Sequence, residues 1–90
     1  MTIARNVEVS GRVQGVFFRA WTVEQAERLK VNGWVRNCAD GSVEAHLEGE
    51  EPAVNWLIDL IGDGPPSARV AKVFVRDANV DGAKRFEVRR

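Results

Sequence analysis

Trp34-Val35-Arg36-Asn37-Cys38-Ala39-Asp40-Gly41-Ser42-Val43-Glu44-Ala45-His46-Leu47-Glu48 is the stretch that decides the fold. Its centre, Asp40-Gly41, is a strong hairpin-turn signal, because both residues tolerate the positive φ of a tight turn. Trp34–Cys38 reads as the strand before the turn. Ser42–Glu48 reads as the strand after it, with Val43, Ala45 and Leu47 inward and Glu44, His46 and Glu48 outward. A helix flanks this hairpin on each side. Upstream, Arg19–Lys30 reads as a helix carrying Thr22, Ala26 and Leu29 on the same side as Phe18, with Asn32-Gly33 breaking it. Downstream, Pro52 suits the first turn of a second helix whose buried face holds Val54, Leu57, Ile58 and Ile61. Gly62, Gly64, Pro65 and Pro66 end that helix.

Strands lie further out. Asn6–Val13 alternates, with Val7, Val9, Gly11 and Val13 on one face. Val70–Arg76 reads as a fourth strand and Arg85–Arg89 as a short last one, with Phe86 and Val88 inward. The order is β-α-β-β-α-β plus a terminal strand. Such a chain lays both helices on one face of an antiparallel sheet, the ferredoxin-like α+β plan. The outward row Glu44, His46 and Glu48 is then expected to face water. This plan hosts many functions, so the fold alone names none.

The whole chain sets bounds on function. Its 90 residues suit one domain spanning residues 1–90. Hydrophobic residues at 44% and charged residues at 29% describe a chain that folds. Thirteen basic residues balance thirteen acidic ones, without the basic excess of a general nucleic-acid binder. The exposed positions expected on the first and third strands, Glu8, Ser10, Glu44, His46 and Glu48, also suit neither base stacking nor phosphate attraction. Cys38 is the only cysteine, so no internal disulfide forms, as in a reducing compartment. No apolar run has the length of a membrane span and the N-terminus lacks a signal-peptide core, so a cytoplasmic location and no membrane partner are expected. One cysteine holds no iron–sulfur cluster, and with His46 the only histidine, a zinc site would need carboxylates for its other ligands.

Chemistry concentrates in Gly11-Arg12-Val13-Gln14-Gly15-Val16-Phe17-Phe18-Arg19, which joins the first strand to the first helix. Backbone N–H groups of a glycine-containing loop at a helix start can converge into an anion cradle. Arg19 sits where its charge opposes the helix dipole, and its planar fork can hold a phosphate through two parallel hydrogen bonds. By spacing alone the segment fits a tight turn with a surface arginine equally well. It is not a Walker loop, since no Gly-Lys-Ser/Thr follows. It is not a cysteine phosphatase loop, since no cysteine precedes Arg19 within it. Asn37 is the second candidate. An asparagine late in a strand is disfavoured by propensity. It either prepares the turn or holds a water by one donor and one acceptor.

These segments resemble the acylphosphatase family. Gly11–Arg19 is similar to its phosphate loop, and Gly33-Trp34-Val35-Arg36-Asn37 with Asp40-Gly41-Ser42-Val43-Glu44 is similar to its second motif. Gly64-Pro65-Pro66-Ser67-Ala68-Arg69-Val70 is similar to the family's segment after the second helix. The resemblance stays in register over nearly the whole chain. It implies hydrolysis of the carboxyl–phosphate bond of acyl phosphates. No cofactor or metal is expected, because the sequence shows no ligand cluster and offers an arginine cradle. The resemblance implies that Arg19 and the loop Gln14, Gly15, Val16, Phe17, Phe18 and Arg19 bind phosphate, and that Asn37 positions the attacking water. Cys38 departs from the threonine expected in many relatives. The implied partners are an acyl phosphate and inorganic phosphate, and with the small size the resemblance implies a monomer.

Four other features read as structural. His46, alternating with Glu44 and Glu48, reads as a surface residue rather than a base. Cys38 reads as a small packing residue. Trp21, Trp34 and Trp56 read as packed or partly buried, and the Glu48–Glu51 acidic run as a strand end leading into a helix.

Overall fold

A computed structural model describes residues 1–90. The elements are β1 (Thr2–Arg12), α1 (Phe18–Leu29), β2 (Asn32–Asn37), β3 (Val43–Glu50), α2 (Glu51–Asp63), β4 (Arg69–Asp77) and β5 (Phe86–Arg89). They build one five-stranded sheet in the order β4-β1-β3-β2-β5. The central pairs β1–β3, β1–β4 and β2–β3 are antiparallel, as expected. The terminal strand differs: β5 runs parallel to β2, with Gly33 opposite Phe86 and Val35 opposite Val88, so the sheet is mixed. A parallel partner needs a long crossover. Residues 78–85 supply it, carrying the chain from one edge of the sheet to the other.

Both helices cover one face. The core beneath them is built from Val7 and Val9 of β1, Val35 of β2, Val43, Ala45 and Leu47 of β3, and Val54, Leu57 and Ile61 of α2. Leu47 and Leu57 are fully buried, each contributing about 1.5–3 kcal/mol of burial. Helix α1 is less apolar. It buries Phe18, Thr22 and Ala26 at helical spacing, and the Thr22 hydroxyl donates to the Phe18 carbonyl at 2.8 Å, which satisfies the polar atom.

The end of α1 corrects an expectation. Lys30, not the Asn32-Gly33 pair, turns left-handed at φ 60°, and its N–H donates to the carbonyls of Ala26 and Glu27. Asn32 and Gly33 already belong to β2. Gly33 is needed for a different reason. Its φ is +139°, and a Cβ there would lie 1.7 Å from the His46 carbonyl oxygen on the neighbouring strand. No side chain fits that approach.

The open face of the sheet also departs from expectation. Glu44, His46 and Glu48 do point away from the helices, yet His46 is 4% and Glu48 3% exposed. The crossing segment folds over them. Glu48 accepts the backbone N–H of Asp81 on Oε2, at 2.7 Å, and those of Gly82 and Ala83 on Oε1, each at 3.1 Å. His46 Nε2 lies 2.6 Å from Glu48 Oε2, its Nδ1 lies 2.8 Å from Asn6 Oδ1, and Trp34 stacks on its ring. Burial alone would push the Glu48 carboxyl up. The hydrogen bonds from His46, Asp81 and Ala83 outweigh it and hold the group below its usual range. Two apolar assignments change as well. Phe86 is buried, but Val88 is 45% exposed at the end of β5, and Trp56 stands out from α2 at 58% exposure.

Candidate active site

The first strand breaks its register at Ser10/Gly11 and sends the chain into the loop before α1. Gly15 takes φ +73°, and a Cβ there would meet nothing, so the glycine serves its backbone conformation and not close packing. Phe17 follows at φ 61°, left-handed, as the N-cap of α1. Left-handed residues on either side of Val16 turn successive N–H groups toward one side of the chain. No backbone N–H from Gly15 through Arg19 donates to a protein acceptor, and α1 has no side-chain cap. A helix start with its donors left open is an anion-receiving geometry.

A cavity of about 370 Å³ lies here, lined by Val13, Gly15, Phe17, Phe18, Arg19, Ala20, Asn37 and Val88. Arg19 is half-buried on the first turn of α1 and enters none of the chain's ion pairs. Asn37 ends β2, opposite Val43, on the helix-facing side that it shares with Gly33 and Val35. Its Oδ1 is buried and accepts no hydrogen bond. The structure therefore brings Arg19, Asn37, Gly15, Phe17 and Phe18 together around one space. A buried acceptor without a donor costs about 1–3 kcal/mol, which a donor reaching it would relieve.

Gln14 and Val16 do not line the cavity. Val16 is buried in the core, and its carbonyl accepts the Ser67 hydroxyl at 3.0 Å. The Gln14 side chain turns to the hairpin, where its Nε2 donates to the carbonyls of Cys38, at 2.9 Å, and Ser42, at 2.8 Å. Cys38 directly follows Asn37, so one amide ties the cradle loop to the strand end that carries Asn37. The hairpin is braced beyond that point. The Ser42 hydroxyl and N–H both donate to Asp40 Oδ1, at 2.6 and 2.9 Å, and hold that carboxyl below its usual range. The Gln14 clasp, the Ser67 brace and Val88 were not foreseen. A glutamine within a loop and a serine within a Pro-Pro-Ser turn carry no pattern that announces such contacts.

One cluster outside the cavity joins a histidine to carboxylates. His46, Glu48 and Asp81 offer ligand atoms within 4.8 Å of one another. Both Glu48 oxygens are already taken by N–H donors, so the cluster fastens the crossing segment to the sheet.

Fold and cavity together define a ferredoxin-like α+β protein that presents open hydrogen-bond donors at its first strand–helix loop. Comparison with known proteins narrows this class. Residues 5–88 match the family model described as Acylphosphatase. An acylphosphatase of Rubrobacter xylanophilus is 58% identical over 84 residues, 92% of this chain and 76% of that protein. The solved acylphosphatase of Coxiella burnetii superposes with a TM-score of 0.94 at 39% identity, covering 98% of this chain and 93% of that one. That of Bacillus subtilis superposes with a TM-score of 0.95 at 34% identity over 100% of both chains. The chain belongs to the acylphosphatase family.

Proposed function

We propose that this cavity hydrolyses acyl phosphates, with Arg19 and the Gly15–Arg19 backbone as the phosphate cradle and Asn37 as the residue that aims the water. Family membership gives the reaction class: the protein is an acylphosphatase, which cleaves the carboxyl–phosphate bond to a carboxylate and inorganic phosphate. The observation that carries the residue assignment is a convergence of unmet hydrogen-bonding capacity. A guanidinium without an ion-pair partner, a run of N–H groups without acceptors and an asparagine whose amide oxygen lacks a donor belong to segments that line one space.

The chemistry asks for little more. The oxygen of water forms a bond to phosphorus while the phosphorus–acyl oxygen bond breaks, and that bonding pair leaves on the carboxylate. The conjugate acid of such a leaving group has a pKa near ~4, so no general acid is needed. The cradle must hold the phosphoryl oxygens and balance charge in the transition state, and the water must lie in line. The fork of Arg19 meets two phosphoryl oxygens at once. The Asn37 amide, on the cavity lining, can hold a water by one donor and one acceptor. A phosphoryl oxygen takes the proton that the water loses.

The substrate and product are small molecules, and the chain acts as a monomer without nucleic acid. Its balanced charge and small size support this reading. A cytoplasmic setting is supported by the single cysteine, and no helix is long and apolar enough to cross a membrane. The test is turnover of an acyl phosphate by Arg19→Ala and Arg19→Lys. Arg19→Ala should lose at least a hundredfold in kcat/KM and bind phosphate weakly while remaining folded. Arg19→Lys should also be poor, because a point charge does not replace the fork. Near-normal rate and phosphate affinity in folded Arg19→Ala would remove Arg19 from the site.

A further inference from the structure

The cavity is larger than its polar groups explain. At about 370 Å³ it falls among pockets that take whole small molecules, about 300–1,000 Å³, and not a single anion. Its polar contribution comes from Gly15, Arg19 and Asn37. The rest of its lining is apolar: Val13, Phe17, Phe18, Ala20 and Val88. Val13 and Phe18 are core residues, 1% and 2% exposed, and each spares the cavity only one face. Phe17 and Val88 are different. They are 84% and 45% exposed, so each lines the cavity while meeting solvent.

The fold has no use for the Phe17 side chain. It is the N-cap of α1, a position where Ser, Thr, Asp, Asn or Gly serves better, and it makes no capping hydrogen bond. Its φ of 61° is left-handed, a conformation that a bulky residue adopts at a cost and that glycine or asparagine adopts readily. Its ring is not in the core. Val88 presents the same contrast. It shares the helix-facing side of β5 with Phe86, which is 5% exposed, yet it lies beyond the core and beside the site. Two apolar side chains outside the core therefore border the same space as the phosphate cradle.

We infer that Phe17 and Val88 are the apolar walls that hold the acyl group of the substrate, and that they select acyl phosphates with an aromatic or bulky aliphatic acyl group over acetyl or carbamoyl phosphate. This inference rests on the cradle assignment made above. A phosphoryl group held by Arg19 and the loop has its acyl substituent as its only apolar part. The adjoining apolar walls are the surface that part can bury. Burial of a ring against Phe17 and Val88 gains hydrophobic and ring-contact energy that a methyl group cannot match. The cradle handles what all acyl phosphates share, and the walls read what differs.

The experiment measures kcat/KM for benzoyl phosphate and acetyl phosphate, with inorganic phosphate inhibition as a report on the cradle. Four proteins are compared: wild type, Phe17→Asn, Phe17→Leu and Val88→Thr. Asparagine suits the left-handed backbone, so Phe17→Asn keeps the loop conformation. Wild type should favour benzoyl over acetyl phosphate by at least tenfold. That ratio should fall about tenfold in Phe17→Asn and about threefold in Val88→Thr, with phosphate inhibition within about twofold of wild type. Phe17→Leu should recover most of the ratio, since it restores an apolar wall. A ratio unchanged in Phe17→Asn and Val88→Thr, or equal loss on both substrates, overturns the walls and leaves the cradle standing. A wild-type chain that hydrolyses neither substrate overturns the hydrolase assignment itself, and the walls with it.

Discussion

Gln14→Leu tests whether the cradle and Asn37 are one machine. The Gln14 amide donates to the Cys38 and Ser42 carbonyls at 2.9 and 2.8 Å in a partly buried setting. Each such bond contributes about 1 kcal/mol net. The acceptors are not orphaned by its loss, because the Gly41 N–H still reaches the Cys38 carbonyl and the Cys38 N–H the Ser42 carbonyl. The expected cost is therefore about 1–2 kcal/mol and no more, which lowers Tm by roughly 5–10 °C in a domain this small. The kinetic effect should be larger than that loss suggests. Misplacement of a reacting group by about 1 Å can cost up to 10²-fold. With the loop released from the strand that carries Asn37, kcat should fall about tenfold, and phosphate inhibition should weaken about twofold, because Arg19 and the loop N–H groups remain. The assay is a double-mutant cycle with Asn37→Ala, read in kcat, alongside thermal melts of each protein. Once Asn37 is gone, Gln14→Leu should cost well under tenfold. Full additivity would show that Gln14 does not act through Asn37, and a lowered Tm with unchanged kcat would reduce it to a structural clasp.

Two further outcomes follow from the same contacts. Glu48→Gln should cost about 2 kcal/mol at neutral pH, the scale of hydrogen bonds to a charged group. The native Glu48 carboxyl lies below its usual range, so its contribution is complete above the ordinary glutamate pKa, about 4.3, and is lost as pH falls through the native value. Denaturant melts should show the gap between wild type and variant closing as pH drops below about 5; a gap of constant size down to pH 3 would mean that Glu48 is not ionised in the fold. Separately, the cavity lining contains no carboxylate, thiol or imidazole, so purified protein treated with a chelator should keep its hydrolysis rate. Loss of activity restored by one particular metal would contradict this.

What was legible in the sequence was what local pattern encodes. Val43, Ala45 and Leu47 alternate as a strand and are buried as such; Val54, Leu57 and Ile61 repeat as a helix and pack as one. The loop up to Arg19 and the strand end at Asn37 were read from two motifs, and the structure brings them to one cavity. What was not legible depended on segments without periodicity. Alternation placed His46 and Glu48 away from the helices correctly, but it gave no sign that residues 78–85 would cross over them. That segment is held by backbone N–H groups on a single carboxylate, an interaction indifferent to side-chain type. The parallel pairing of β5 follows from the same crossing. So does Val88, which alternation made a core residue and which instead lines the cavity, 45% exposed. At the end of α1, Gly33 suggested a cap, whereas its absent side chain makes room for the His46 carbonyl.

The division of labour between Arg19 and Asn37 is the central claim, and Asn37→Ala tests it most directly. In the proposed mechanism Arg19 touches the phosphoryl group before and during reaction, whereas Asn37 acts on a water that becomes bonded to phosphorus only in the transition state. Removing Asn37 should therefore lower kcat and leave ground-state binding nearly intact. The measurement is the single-turnover rate on an acyl phosphate together with the directly measured affinity for inorganic phosphate. The account predicts a rate loss of at least about a hundredfold, on the scale of losing a positioned transition-state contact, with phosphate affinity within about twofold of wild type. An unchanged rate would remove Asn37 from the reaction, and equal losses of rate and affinity would place it in the cradle beside Arg19.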